Sequence, residues 1–482
     1  MNQLSTSKLA SFAGEWTGFE LIIAVLGAAL AVSVFYTPLP LVILLAVPAS
    51  LYFLFRPYQL LLAMVFLIPF NFIFEIGPVP VAAELLKVAL WVPFLLTLKE
   101  RPAFVGSRFN KWFAVIGAII VLSLVRAHDL PFTLKECVRL ASNIGLVYLC
   151  LNLVDTREKV WQILRVLTVS TFLVACYGFY QWEIQGYGAL FWIVNPRLDT
   201  SLAHYRDQFW EWRNRIISVL TSEMELGHYF NLCIPIGILL WITEGRRRLT
   251  SKWFWMTLAM LAGLVLTFTF GAWLALAATC GLAILRYGGP KKWKYLIGGS
   301  VVLVIIGGIL ALGPLRSVVA QKASGTAIGS LAWDAATRLY GWKLALQLWW
   351  AHPILGAGIG NYASFSADYD FVLGAQSQGS SPHNTYFYLL SDYGLIGFIA
   401  VLAILIGSIR SNIRLRRTNL ETAMIGAALA FALTMNMIGW IVDDSGYLGP
   451  HASYLLWLFV GLSGVIVKLA PSDAASSELK AR

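Results

Sequence analysis

SPHNTYFYLLSDYGLIGFIAVLAILIG, residues 381–407, decides the reading of this chain. From Thr385 onward an apolar run continues to Ile409. That is longer than the roughly 20 residues a helix needs to cross a hydrocarbon core of about 30 Å. His383 stands just ahead of this run, after a long polar stretch, and is followed by Asn384, Tyr386 and the small-residue stretch Gly394–Gly397. A titratable imidazole where a loop enters a membrane span can act on a substrate that is half lipid and half water-soluble.

The rest of the chain repeats the pattern. Of 482 residues, 58% are hydrophobic and only 13% charged, against about 25% charged in a typical soluble domain. Many stretches of spanning length lack charge, and none shows the alternating ten-residue pattern of a β-barrel. The composition predicts an all-α polytopic membrane protein with about 12–14 transmembrane helices. Nineteen tryptophans and nineteen tyrosines suit aromatic belts at the two interfaces. The net charge of +11 sits in short loops between spans, where it reads as a topology signal and not as a nucleic-acid surface. The first residues are polar and mixed, with no cleavable signal pattern, and Leu21–Tyr36 reads as a first span. All five cysteines lie in apolar segments, so neither a disulfide framework nor a zinc motif is expected.

Fourteen candidate spans can be drawn: 20–36, 40–55, 58–76, 80–98, 112–126, 136–154, 160–182, 222–243, 253–269, 271–285, 295–313, 385–409, 420–441 and 450–468. With that number the basic clusters at 99–111, 157–159, 246–252, 286–294 and 410–417 all fall on one side, which is the cytoplasmic side, together with both termini. Gly271 is the expected turn within 253–285. Two outer loops are long, 183–221 and 314–384, and long ordered loops usually carry function. The second should contain a helix over Leu331–Ala351. Its Arg338, Trp342, Ala345 and Trp349 share one face and suggest a helix lying along the membrane surface. Pro353 and Gly356-Ala-Gly358-Ile-Gly360 should form a flexible turn after it. No acidic residue or strand supports a dinucleotide motif there.

Candidate chemistry concentrates on the outer side. The six histidines (His128, His204, His228, His352, His383, His451) show no zinc-ligand spacing, so no metal site is expected. Most read as interfacial polar groups; His383 is the exception. Among the outer arginines, Arg197, Arg206 and Arg213 have acidic neighbours, whereas Arg215 lies just before a span and Arg338 on the tryptophan face. A guanidinium fork binds phosphate oxygens in bidentate fashion and keeps its charge at any relevant pH. Glu223, Glu225 and His228 open the span that follows Arg215. Acidic groups in such places are usually paired or functional. Asp443 and Asp444, at the outer end of the thirteenth span, could meet an acceptor sugar or water. Glu84 and Lys87 are the deep charges and are spaced to pair with one another.

The segment 381–397, the stretch TRLYGWKLALQLWWAHPILGAGIGNY at 337–362 and the arginine-led entry at 215 together resemble the O-antigen ligase and O-antigen polymerase superfamily. The resemblance covers roughly 160–465, within a ligase-like catalytic region drawn at 159–468, with 1–158 forming further N-terminal transmembrane helices and 469–482 a cytoplasmic tail. It implies a multi-pass enzyme of the bacterial cytoplasmic (inner) membrane whose site faces the periplasm, with 183–221 and 314–384 as periplasmic loops. It implies transfer of a glycan from an undecaprenyl-diphosphate carrier to lipid A-core, or to a second lipid-linked glycan in a polymerase. The implied partners are these lipids and the membrane, with no nucleic acid, and no cofactor is implied. Carried over by position, His383 is the catalytic histidine, and Arg215 and Arg338 bind the diphosphate. Asn384, Glu225, Glu223, His228, Trp342, Tyr386, Asp443 and Asp444 are candidate substrate-binding residues. The chain departs from the family pattern at Thr269-Phe270-Gly271, where a Ser-Arg usually precedes the glycine, and at Ser222–Glu225, where a Pro-Asn is usual. A lipid-linked oligosaccharide transporter is the rival class, but its ionisable residues would lie near mid-membrane, whereas here they gather at the outer interface.

Overall fold

A computed structural model describes residues 52–53, 55–70, 75–76, 79–80, 82–97, 104–184, 215–220, 222–287, 289, 326–366 and 381–470. The described part is helical apart from a pair of two-residue antiparallel strands, Glu75–Ile76 and Val79–Pro80. The helices are α1 (Pro57–Leu67), α2 (Ala82–Leu96), α3 (Asn110–Val125), α4 (Leu130–Leu153), α5 (Arg157–Ile184), α6 (Glu223–Thr243), α7 (Lys252–Leu266), α8 (Phe270–Tyr287), α9 (Thr326–Ala351), α10 (Thr385–Arg414), α11 (Leu420–Gly439), α12 (Ser445–Leu448) and α13 (Pro450–Lys468). Five of these, α5, α6, α10, α11 and α13, are long and apolar enough to cross a membrane, and α3, α7 and α8 are shorter apolar helices. This is an all-α membrane protein. The expected spans at 20–36 and 295–313, most of 40–55, and most of the loop 183–221 lie outside the described residues, as do Arg197, Arg206, Arg213 and His204.

Helix α13 is the core. It is apolar on all sides between Pro450 and Lys468, so it has no face to give to lipid or water. It packs against α4, α6, α10 and α11. Its polar side chains are met inside the protein. Asn412 Nδ2 donates to Ser463 Oγ at 2.7 Å, and Asn143 Nδ2 to Ser453 Oγ at 3.0 Å. Lys87, 1% exposed, donates to Asn143 Oδ1 at 2.7 Å and places its ammonium 3.6 Å from the Tyr454 ring centroid. These two partners of Lys87 come from α4 and α13, across the bundle; the expected pairing with Glu84 falls on a side chain outside the described residues.

The expected turn at Gly271 is placed elsewhere. The chain reverses at Thr267–Thr269, with Phe268 at φ +49°. Gly271 lies inside α8, where a Cβ would come within 2.7 Å of Val442 Cγ2. This glycine is needed for close approach, not for bending.

The long helix α10 is broken at Gly394, whose φ of 64° and ψ of −174° are non-helical. The segment after α9 fills the break. Ala357 N donates to Ser391 O at 2.7 Å, Gly358 N to Asp392 O at 3.1 Å, Leu395 N to Pro353 O at 2.9 Å and Ile396 N to Ile354 O at 3.2 Å. These bonds occupy groups that an unbroken helix would satisfy itself, which an apolar setting demands. The Asp392 carboxylate adds two more bonds, accepting from Gly360 N at 2.7 Å and Tyr362 N at 2.9 Å. The glycine-rich segment expected to be a flexible turn is therefore a fixed insert in α10. Its glycines at 356, 358 and 360 have positive φ because the chain must coil tightly to present four N–H groups in sequence.

Candidate functional site

The N-termini of α6, α10 and α13 and the C-terminus of α11 meet at one end of the bundle, around a turn at residues 440–444. Two helix caps build this end. Ser222 Oγ accepts from Glu225 N at 3.1 Å and starts α6. Asn384 Oδ1 accepts from Phe387 N at 3.1 Å and starts α10. The Asn384 amide also donates to Ile441 O at 2.8 Å. Thr385 N donates to Trp440 O at 3.0 Å, and Thr385 Oγ1 to Asp443 O at 3.2 Å. The first turn of α10 is laced to the turn, so the residue before it has little freedom.

That residue is His383. Its φ of +48° lies in the left-handed region, which non-glycine residues adopt uncommonly, Asn, Asp and His more readily than others, and which is costly unless the surroundings impose it. Here the surroundings are the lacing just described. The imidazole is half-buried, and its Nδ1 is buried with no hydrogen-bond partner among the described residues. Asp444 lies against it. This carboxylate, 4% exposed, accepts from the His383 backbone N–H and the Ser381 hydroxyl, while its Oδ2 is left without a partner among the described residues. Burial, and then the neighbouring Asp443, push the Asp444 carboxyl up to about 6, against the pull of His383.

The sign of that shift has a consequence. The fold favours the protonated acid, so this group's contribution to stability is complete below the unfolded value of about 3.9. It is lost as pH rises through about 6. Asp444→Asn should remove the loss. Thermal midpoints of the detergent-solubilised protein should fall less steeply in the variant than in the wild type between pH 4 and pH 7; parallel curves would contradict the assignment.

Arg338 reaches the same turn from α9, donating through Nη1 to the Val442 carbonyl. Its other N–H groups are uncommitted among the described residues. Trp342, one turn along, sets its ring 5.6 Å from that of Phe387, and Ala345 is buried. The Arg338–Trp342–Ala345 face thus packs inward on the bundle and does not simply float on the membrane surface.

Arg215 lies in the non-helical segment that precedes α6. Its Nη1 lies 3.0 Å from Glu223 Oε1, and the Glu223 carbonyl accepts from Thr269 Oγ1 at 2.9 Å. Glu225 is fully buried and its Oε1 accepts from His451 N at 2.7 Å and lies 3.0 Å from His451 Nδ1. His228 Nε2 stands 3.9 Å from Asp443 Oδ1. Asp443 is itself buried and accepts from Ser445 N at 2.6 Å. Three histidine–carboxylate neighbours, 383 with 444, 228 with 443 and 451 with 225, therefore underlie the turn. The structure brings Arg338, His383, Asp443 and Asp444 together on it; Arg215 is held at Glu223, at the start of α6.

His228 and His451, expected as interfacial polar groups, are deeply buried within the protein. Asp443 and Asp444 are buried and not solvated. Tyr386 donates from its hydroxyl to Met437 O at 2.7 Å, and Asn384 caps a helix; both side chains anchor α10 to α11. His352 lies apart, with Nδ1 3.3 Å from Arg126 Nη2, and the His128 ring is 4.9 Å from that of Phe365. His451 is the member that sequence reading left unassigned. Its signal was the Gly449-Pro450 helix start beside it, which puts residue 451 in the first turn of the core helix.

Residues 255–402 match the family model described as O-antigen ligase. The match takes in Arg338 and His383 and leaves Arg215, Asp443 and Asp444 outside it. No curated protein matched the chain.

Proposed function

We propose that this chain is a member of the O-antigen ligase and polymerase superfamily, on the match over residues 255–402, and that it transfers a glycan from an undecaprenyl-diphosphate carrier to an acceptor sugar hydroxyl at the periplasmic face of the inner membrane. The acceptor oxygen attacks the anomeric carbon, and the bond from that carbon to the diphosphate oxygen breaks with its electron pair leaving on the phosphate. The acceptor proton passes to the His383 imidazole. A single displacement of this kind inverts the anomeric centre. Diphosphate is a good leaving group, so the site's main task is to stabilise the charge that develops on it. Arg338 and Arg215 supply that stabilisation.

The observation that carries this reading is the seating of Arg338 and His383 on one turn, at Val442 and Asp444. An anion-binding fork and a base thus flank one position at an end of the bundle. Asp444 holds the histidine backbone, and its charge would favour the imidazolium formed after proton transfer. The glycosidic energy of the lipid diphosphate drives the reaction.

Purified protein, a lipid-diphosphate glycan and candidate acceptors test the proposal directly. Lipid A-core as acceptor gives the ligase reaction, and a second carrier-linked glycan gives the polymerase reaction. Arg338→Lys keeps the charge and loses the planar fork. It is expected to lower turnover about 10²-fold, the order lost with one preorganised donor. Turnover equal to wild type would remove bidentate phosphate binding from the mechanism.

A further inference from the structure

Tyr362 lies at the end of the insert that fills the break in α10, and it is 1% exposed. Its backbone N–H donates to Asp392 Oδ1 at 2.9 Å. Its hydroxyl donates to the Gly341 carbonyl at 3.1 Å. Asp392 lies on the α10 segment that begins just after His383, and Gly341 lies one turn after Arg338 on α9. Through its backbone N–H and its hydroxyl, Tyr362 therefore ties α10, which begins just after His383, to α9, which carries Arg338.

Gly341 is a point of close approach between α9 and the segment that carries His383. A Cβ there would stand 3.2 Å from Pro382 Cα and 3.2 Å from the Tyr362 hydroxyl. Pro382 is the residue before His383. The missing side chain lets α9 lie against the backbone of the histidine turn, and the Tyr362 hydroxyl holds it there. The tyrosine ring is kept in place by Tyr388, 6.5 Å away edge to face, so the hydroxyl has a fixed address.

We propose that Tyr362 is a positioning residue for glycan transfer: through its bond to Gly341 it sets the Arg338 guanidinium against the His383 imidazole. The inference rests on the reading of Arg338 and His383 given above. Neither Tyr362 nor Gly341 needs to touch substrate. A shift of about 1 Å in a reacting group can lower a rate by roughly 10²-fold, so a single hydroxyl acting through geometry has a readable effect on turnover.

The test is a double-mutant cycle on the purified full-length protein with a lipid-diphosphate glycan donor. Tyr362→Phe removes only the hydroxyl. It is expected to lower kcat about 10-fold with KM for the acceptor little changed, within the range for a misplaced group. In an Arg338→Lys background, where the fork is already lost, the same change should alter kcat by less than about 2-fold, because residues acting as a unit are not additive. Equal factors in both backgrounds would mean a merely structural tyrosine and would overturn the proposal. So would a kcat for Tyr362→Phe equal to wild type while Arg338→Lys alone is impaired. If instead Arg338→Lys alone is unimpaired, the reading of the site itself fails. Gly341→Ala, which pushes α9 away from Pro382, is the second arm should Tyr362→Phe fail to fold. It should show the same loss of kcat and the same insensitivity once Arg338 is Lys.

Discussion

His383→Ala is expected to lower glycan transfer by about 10²–10⁴-fold, the range of a general base, with the protein still folded and inserted. The acceptor hydroxyl has a high pKa, and the described end of the bundle offers His383 as the half-exposed imidazole beside the arginine fork. The other two histidines here, His228 and His451, are shut in beneath the turn. Alanine at a φ of +48° also carries backbone strain, so a second variant separates the two effects. Asparagine tolerates the left-handed region and cannot act as a base near neutral pH. His383→Asn should therefore match His383→Ala in lost turnover and exceed it in thermal midpoint. Near-normal product from His383→Asn would remove the histidine from the proton transfer, whatever the alanine variant does.

Gly394→Ala is expected to be the most damaging single-methyl change to stability. The residue sits at φ 64° and ψ −174°, a region essentially limited to glycine. A Cβ would come within 2.3 Å of Gly356 N and 2.4 Å of Ile354 O. Both are backbone atoms and cannot rotate away. The facing glycine is locked in the same way, since a Cβ on Gly356 would stand 2.4 Å from Asp392 O. Strain of about 1–3 kcal/mol and overpacking of about 1–3 kcal/mol sum to roughly 2–6 kcal/mol, a large part of the stability of most domains. The expected observation is a large fall in the thermal aggregation midpoint in detergent, or failure to accumulate in the membrane. By contrast Gly117→Ala, with nothing within 4 Å of its Cβ, should behave as wild type. Similar midpoints for the two variants would show that the insert is not a fixed part of α10.

The class of fold was legible because it depends on bulk properties: uncharged apolar runs of spanning length, and basic residues gathered between them. The predicted spans at 160–182, 222–243, 420–441 and 450–468 fall on α5, α6, α11 and α13 for that reason. His383 stood out because it interrupts a transition from polar to apolar sequence, and Arg338 because it is a cation on a tryptophan face. What each of these side chains meets was not legible. Arg215 finds Glu223, Lys87 finds Asn143 and Tyr454, and Glu225 finds His451, 226 positions away. The pairs of Lys87 and Glu225 are set by which helices neighbour one another, and local spacing carries no record of that.

From its residues alone the chain determined that it is an all-α membrane protein and that its arginines and His383 gather where spans meet loops, because transfer into hydrocarbon is decided segment by segment. Only the tertiary structure decided that a glycine-rich stretch would heal a break in α10, that Val442 and Asp444 would seat the fork and the histidine, and that two further histidine–carboxylate neighbours would lie beneath them. Buried polar groups must find partners inside the protein, and the partners come from helices far apart in the chain.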